Sequence, residues 1–527
     1  PQTGHNNFAL PIDLGNTQKI EIVSGAQSRI LGTNALNGAV CFSTLADTTN
    51  SATASLTYGD FGLYKLSAAG NLKIRKLNNF LTAAKSHSDG YTENTDYDIQ
   101  TIYYNGVFKT NKFNINAQFG LSDKKFGSNG FYTLSYPTQY EENLLTLGSI
   151  GLQTGRLVKI DANVYGRRLR DYYVLVRNNP NLYQNHHLTD VLGSNLGFET
   201  NTIIGRTTLN FEYRNESILS NRLGYENTSR HKRARTSDSI YYDHHYRREY
   251  FTTALNNKFT TNRFSFSAGF AMLNYKGTEF FPGIDLSYTP LRNLKLYVAA
   301  NRSYRLPTFT DLFYKGPKNI GSTELKAEKA TTYEFGLRTQ KSILELNANI
   351  YYRRAKNVID WARTSNVELY VAQNITELNT LGEEVEIIIR PADLLNSKYL
   401  SINTIECGYS HIDNSKSTGE YESLYALDYL KHKFTAAIRL QSAEKLTADI
   451  RFVYQDRAGN YDIAQTDGTV ETRPYSGFWS VDAGISYQWR WITIFAESTN
   501  ITAAKNFDFS GLTLPGRWTK GGVKVKI

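Results

Sequence analysis

No stretch of this chain approaches the roughly 18 consecutive apolar residues that a membrane-spanning helix needs, so a helical path across a bilayer is excluded. Only 40% of the 527 residues are hydrophobic and the mean hydropathy is −0.44. The protein is therefore soluble or crosses a membrane as strands, and strands in lipid need a closed barrel to satisfy their backbones. Cysteine is nearly absent. Cys41 and Cys407 make no disulfide framework, and nothing in the sequence places them side by side. No Gly-x-Ser-x-Gly, HExxH or CxxC occurs, so no activated nucleophile or catalytic metal set is legible and the chain reads as a non-enzyme. Gly25, Gly32 and Gly38 have neither dinucleotide-loop spacing nor a following Gly-Lys-Ser/Thr, which leaves tight packing as their reading. The formal charge is +10, yet Lys and Arg are scattered among Asp and Glu without a long basic run. That argues against nucleic acid and fits either a solvated surface or a lumen that attracts anions. No fixed period marks a solenoid or propeller. The start at Pro1 lacks a charged segment followed by an apolar one, so the chain reads as mature, processed or truncated.

What is present is alternation. Phe264, Phe266, Phe270 and Met272 alternate with Ser265, Ser267 and Gly269; Phe113, Ile115, Ala117 and Phe119 with Asn114, Asn116 and Gln118. Leu344, Leu346, Ala348 and Ile350 repeat the pattern, as do Leu446, Ala448, Ile450 and Phe452. A period of two gives each strand one apolar and one polar face. A soluble sandwich uses that pattern, and so does a barrel with lipid outside and water inside. Aromatic residues reach 13%, with 37 Tyr and 27 Phe, which suits girdles where ring bodies meet acyl chains and hydroxyls meet water.

Residues 1–45 lack the alternation, and 45–50 (LADTTN) reads as a linker. From 46 to 527 the strands continue, enough for about 22 at roughly ten residues each plus connections. Short breaks read as tight turns: Asn105-Gly106, 109–112, 261–263 and 290–293. Long breaks at 86–97, 127–142, 167–190, 221–248, 313–328 and 457–475 read as loops rich in Tyr, Asn, Gly, His and charge. Short turns alternating with long loops mark an outer-membrane barrel.

Those loops hold the candidate ligand residues. Arg168, Arg170, Tyr172 and Tyr173 form one aromatic-basic group, Tyr242 and Arg247 another, and Tyr132 and Tyr136 a third. Solvated Arg beside interface Tyr explains each; a vestibule that stacks on and charge-pairs with a large anionic or aromatic chelate explains them as a set. His186-His187 and His244-His245 are the paired histidines, read either as solvated surface or as metal or haem ligands.

Residues 20–44, IEIVSGAQSRILGTNALNGAVCFST, resemble the end of the plug domain of TonB-dependent outer-membrane receptors, with Glu21, Gly25, Gly32 and Gly38 on the pattern. SYRLPTFTDLFY from Ser303, then STELKAEKATTYEFGLR from Ser322, resembles that family's central barrel segment and marks Arg305, Pro307 and Glu334. The closing AESTNITAAKNFDFSGLTLPGRWTKGGVKVKI is similar to the family's end, and KKFGSNGFYTLSYPTQYEE and NLYQNHHLTD resemble Bacteroidota-type receptors of the cobalamin/siderophore branch.

The resemblance implies an all-β fold: a transmembrane antiparallel barrel of about 22 strands over 46–527, with the C-terminal part of a plug at 1–45. It implies the outer membrane of a Gram-negative bacterium, lipid around the barrel, and active uptake of a ferric siderophore or cobalamin. The implied partners are the TonB complex, through a preceding segment absent from this sequence, and a surface lipoprotein; no cofactor, metal or catalytic residue is called for. Arg305 is expected to face the lumen and pair with a carboxylate. A plug-deficient passive pore or surface adhesin is the alternative, and a soluble β-rich binding protein the third reading.

Overall fold

The computed structural model describes residues 1–4, 9–13, 17–24, 34–44, 49–227, 233–235, 239–316, 319–364, 369–391, 401–417, 422–423, 428–443, 445–464, 470–508 and 511–527. From Ser51 onward the alternating segments form one closed antiparallel barrel of 22 strands. Its first strand, Ser51–Gly59, pairs with its last, Trp518–Lys526, so the sheet has no free edge. Tight turns join strands on one rim, as between Ile74 and Leu77 or Thr260 and Phe264. Long connections join them on the other, as between Gly127 and Tyr140 or Arg305 and Glu328.

The apolar rows lie outside. Phe119, Phe264, Phe266, Ile350, Ile450 and Phe452 are all exposed on the outer wall. Their alternation partners face inward, where Ser265, Ser267, Asn347, Asn349, Tyr297 and Glu334 line a cavity of about 820 Å³ along the inner wall. Exposed apolar area on this scale is what a lipid-facing surface requires; the rows do not meet in a closed core between two layers.

The strands outrun the ten-residue beat. Val158–Val174 has 17 residues, Gln184–Thr202 has 19 and Leu344–Arg363 has 20. Arg168, Arg170, Tyr172, Tyr173, His186, His187, His244, His245 and Arg247, expected in loops, therefore stand in strands. The physical reason is that strand pairing continues past the hydrocarbon into water. A switch from apolar to polar side chains marks where lipid ends, not where the ladder ends.

Asn105-Gly106 is also mid-strand, within Tyr97–Lys109, rather than a turn. Asn105 Nδ2 donates to the Thr44 carbonyl at 2.6 Å, and a Cβ at Gly106 would overlap the Tyr104 hydroxyl. The 457–475 connection carries its own hairpin, Asn460–Ala464 with Val470–Pro474.

Before the barrel, Lys19–Ser24 and Gly38–Ser43 form a separate two-stranded sheet. Glu21 lies opposite Cys41 in its register, and Gly38 takes a φ of 126° that favours glycine. Gly25, Gly32 and the 45–48 part of the expected linker lie outside the described residues. Cys41 and Cys407 are not bridged. This N-terminal segment touches the inner wall: Lys65 pairs with Asp13 at 2.8 Å, Thr44 Oγ1 meets Tyr103 Oη at 2.6 Å, and Ser303 Oγ donates to the Leu36 carbonyl at 3.0 Å.

The two-faced wall makes a direct prediction. Ile150→Arg, on the outer face, is expected to cost about 2–4 kcal/mol, whereas Gln118→Arg, on the inner face, costs little. Urea unfolding from lipid vesicles measures both; equal costs contradict the assignment of faces.

Candidate functional site

The mouth on the long-connection rim is built from loops tied to one another. Asn94, at a φ of 54°, donates through Nδ2 to the carbonyls of Pro137 at 2.9 Å and Gln139 at 2.6 Å. Arg177 grips Asp96 through two bonds of 2.6 and 2.9 Å and lies 4.4 Å over the Tyr140 ring. Hydrogen bonding to that guanidinium holds the Asp96 carboxyl below its ordinary range. Wholly buried Gln139 donates to the carbonyls of Thr133 and Tyr136 and accepts from the Tyr132 N–H. The 88–97, 127–140 and 174–184 connections thus form one hydrogen-bonded body.

Tyr132 sits on that body with its two ends in different surroundings. Its hydroxyl donates to the buried Glu141 at 2.6 Å, and its ring meets Tyr173 edge-on at 5.0 Å and Phe131 at 4.9 Å. Burial of the hydroxyl, reinforced by Glu141, pushes the phenol well above its ordinary pKa. Yet 44% of the residue is exposed, which leaves a fixed ring face open beside exposed Phe131 and Tyr136. Tyr183, under the Arg222 guanidinium at 5.0 Å, extends the aromatic surface beyond Tyr173.

Across the mouth, the chain leaves the wall at Arg305 and forms the short helix Phe309–Phe313. Thr308 caps it, and Asp311 returns the bond to the Thr308 N–H, a reciprocal capping box. Arg305 pairs with Glu328 at 2.5 Å and approaches Asp311 at 3.6 Å, so its partners are on the wall and the helix. The Pro307 carbonyl accepts from Arg248 Nη1 at 2.6 Å, and Arg248 also pairs with the buried Glu216 at 2.6 Å. Phe309 is fully buried against Tyr246. The helix meets the N-terminal segment as well: Phe309 N–H donates to the Pro1 carbonyl and Thr310 N–H to that of Gln2. Glu334 faces the lumen and accepts from Tyr297 Oη at 2.8 Å.

Strand alternation divides the residues expected to bind together. Leu169 packs on Ala9 and Asp171 accepts from Gln2, so odd positions of Val158–Val174 point inward. Val164 is exposed on the opposite face, and Arg168, Arg170 and Tyr172 share its parity and point outward. His186 stacks on Tyr172 at 4.6 Å and is outward, whereas His187 is buried inward. Ser220 Oγ accepts two backbone N–H groups, so its own hydrogen goes to His187 Nδ1 at 2.7 Å. His187 is a packed structural group, not an open ligand. His244 faces inward, 2.8 Å from Asp243, while His245 and Arg247 are exposed on the outside. Tyr242 is buried just before that strand, and burial raises its phenol. Among the described residues no group of three His, Cys, Asp or Glu converges to hold a metal.

Of the expected ligand residues, Tyr132 and Tyr173 meet ring to ring at the mouth, and Tyr136 belongs to the same loop body through its carbonyl. Asn94, Gln139 and Arg177, which shape it, gave no signal, because polar residues in a loop look alike until their partners are known. Arg248 was legible in principle: with Tyr246 and Tyr250 it shares one parity of a strand, and so one face.

Two observations now bear on kinship: a closed barrel around an inner N-terminal segment, and a mouth helix at the Arg305–Pro307 motif. The family described as TonB dependent receptor-like, beta-barrel matches residues 32–501. The chain belongs to that family. As for its members, its place is the Gram-negative outer membrane, with the tight turns on the periplasmic side and the long connections outside. Over 103 residues it is 24% identical to the vitamin B12 transporter BtuB of Vibrio vulnificus (strain YJ016), covering 20% of this chain and 16% of that one. The match thus spans far less than two thirds of that relative. Two solved structures share the fold. The FrpB iron transporter of Neisseria meningitidis (F5-1 variant, apoprotein) has a TM-score of 0.77 at 15% identity, covering 98% of this chain and 88% of that one. A mutant of the ferric enterobactin receptor PfeA of Pseudomonas aeruginosa has 0.77 at 13%, covering 98% and 86%.

Removing Arg248 (Arg248→Ala) leaves Glu216 buried without its main partner and frees the Pro307 turn. A loss of about 3–5 kcal/mol is expected, read by chemical denaturation, against under 1 kcal/mol for exposed Arg247→Ala. The Arg177–Asp96 clasp has a carboxylate of lowered pKa. Its contribution is therefore full above Asp96's unfolded value and is lost as pH falls through the lower folded one. Proteolysis of the 88–97 connection should accelerate only in that acid window, and at all pH values in Arg177→Ala.

Proposed function

We propose that this chain is the barrel, with the C-terminal part of the plug at 1–45, of a TonB-dependent receptor that takes up a scarce, large nutrient, most readily a ferric siderophore or cobalamin. The single observation that carries this reading is the mouth: a hydrogen-bonded loop body on the long-connection rim that leaves Tyr132, Phe131 and Tyr136 exposed, on a barrel whose inner wall is polar. A pre-ordered aromatic face binds a large ring-bearing cargo without an added ordering cost. Capture and release need no covalent step. The TonB complex would act through a preceding segment, and a surface lipoprotein of the Bacteroidota type would deliver cargo at the mouth. The cargoes named for the relatives, vitamin B12, iron and ferric enterobactin, support this class of nutrient.

Deleting the gene should abolish growth on one iron chelate or on cobalamin as sole source, and Tyr132→Ala should weaken binding of that cargo by about 10-fold or more. Isothermal titration with purified receptor measures the second. Tyr132→Phe separates the roles: it keeps the ring but removes the bond to Glu141, so an intermediate loss is expected. Unimpaired growth on every such source, with a large ungated conductance of the full-length product in planar bilayers, favours the passive pore instead.

A further inference from the structure

The outward-facing members of the expected ligand cluster have a different neighbour. Four adjacent strands change character at one level on the outer wall. In Val158–Val174 the outward series runs Ile160, Ala162, Val164, Gly166, then Arg168, Arg170, Tyr172. In Phe113–Gly127 it runs Ile115, Ala117, Phe119, Leu121, then Asp123 and Lys125. The register aligns these switches: Lys125 lies opposite Glu142, Glu142 opposite Tyr172, and Tyr172 opposite His186. From Val158 to Arg168 is ten residues, which at ~3.3 Å each and a tilt of ~40° climbs about 25 Å, the height of an apolar belt. The charged rows therefore begin where hydrocarbon ends and headgroups begin.

At that level a groove of about 680 Å³ opens on the outer wall, lined by Lys125, Arg170, Tyr172, His186, Arg233 and Arg235. Arg235, from the connection after Ser220, folds down outside the barrel, pairs with Glu142 at 2.5 Å and covers the Tyr172 ring at 4.2 Å. The nearby carboxylates are engaged: Glu142 by Arg235, and Asp190 by Arg168 at 2.6 Å. Among the described residues, Lys125 and Arg170 form no ion pair, though Asp123 also lines the groove. Four cationic side chains thus line the groove with three carboxylates, of which Glu142 is held by Arg235 and Asp171 accepts from Gln2.

We propose that this groove binds the phosphate of an outer-leaflet glycolipid, whose acyl chains lie along the apolar residues below it. The occupant is lipid rather than cargo because Lys125, Glu142, Arg170, Tyr172 and His186 in the lining share the outward face of the apolar residues below them. Lys125 and Arg170 supply charge, and Arg235 closes the groove from above.

The test uses the full chain in nanodiscs of zwitterionic phospholipid, doped with bis-phosphorylated lipid A or the same glycolipid stripped of phosphate. Glycolipid retained per protein is counted by native mass spectrometry. Preferential retention of the phosphorylated form is expected, with a loss of about 30-fold in affinity for Lys125→Gln combined with Arg170→Gln. The dephosphorylated form should be unaffected by that pair, and Lys295→Gln, on the lumen wall, should change neither. Equal retention of both glycolipids by the unaltered chain overturns the proposal without any variant. So does a double variant that retains as much as the parent, or displacement by millimolar inorganic phosphate, which would mark a free-phosphate site.

Discussion

A strand that crosses hydrocarbon has to hand every backbone N–H and C=O to a neighbour, because no water is there to take them. In this chain that requirement is met by the pairing of Ser51–Gly59 with Trp518–Lys526, which removes the last free edge. Closure in turn enforces the period of two, since each residue's side is set by its place in the ladder. The lumen wall carries the consequences. Tyr165, Tyr297 and Tyr351 lay their rings over Gly193, Gly336 and Gly382 on adjacent strands, where any Cβ would overlap the ring. Glycine there is a seat for an aromatic ring, and the sheet keeps its curvature while its inner face stays polar at the hydroxyl.

The same alternation decides which residues act together. Tyr172 and Tyr173, or His186 and His187, are neighbours in sequence but stand on opposite sides of the wall. One member of each pair meets the surroundings of the membrane, and the other meets the lumen. A binding cluster assembled from sequence adjacency cannot survive inside a strand. Loops are free of that rule, and Phe131, Tyr132 and Tyr136 stay together because Gln139 and Asn94 fold their segment into one body.

Barrel class, strand number and the inward or outward sense of most strands were legible because they depend on a short, local period repeated many times. Phe264 and Ser265 carry that signal unaided. Arg305 stood out through its motif, and it pairs with Glu328 and Asp311. The ends of strands were not legible. Arg168 and Arg170 look like loop residues because they are charged, and nothing in a sequence separates a strand in water from a loop in water. Nor was the mouth's scaffold readable, since Arg177 finds Asp96 across 81 positions and Gln2 finds Asp171 across 169.

Among the described residues, the N-terminal segment meets the barrel through dispersed polar bonds beside small apolar contacts such as Ala9 on Leu145 and Leu169. Gln2 bridges Asp171 and Thr189, Asn34 takes the Leu306 N–H, and Lys65 takes Asp13. Each such bond is worth about 1 kcal/mol net, because water replaces it on rupture. A segment held by an apolar interface of the same extent would resist until the whole face separated. One held by separable hydrogen bonds beside a polar wall yields bond by bond as water enters. On the reading proposed above, that is the property a pulled segment needs, and the polar inner face of the barrel supplies it. The mouth helix is tied to both Pro1 and Gln2 by backbone bonds and to the wall by Arg248, so on that same reading it is where a movement of the segment would first reach the mouth.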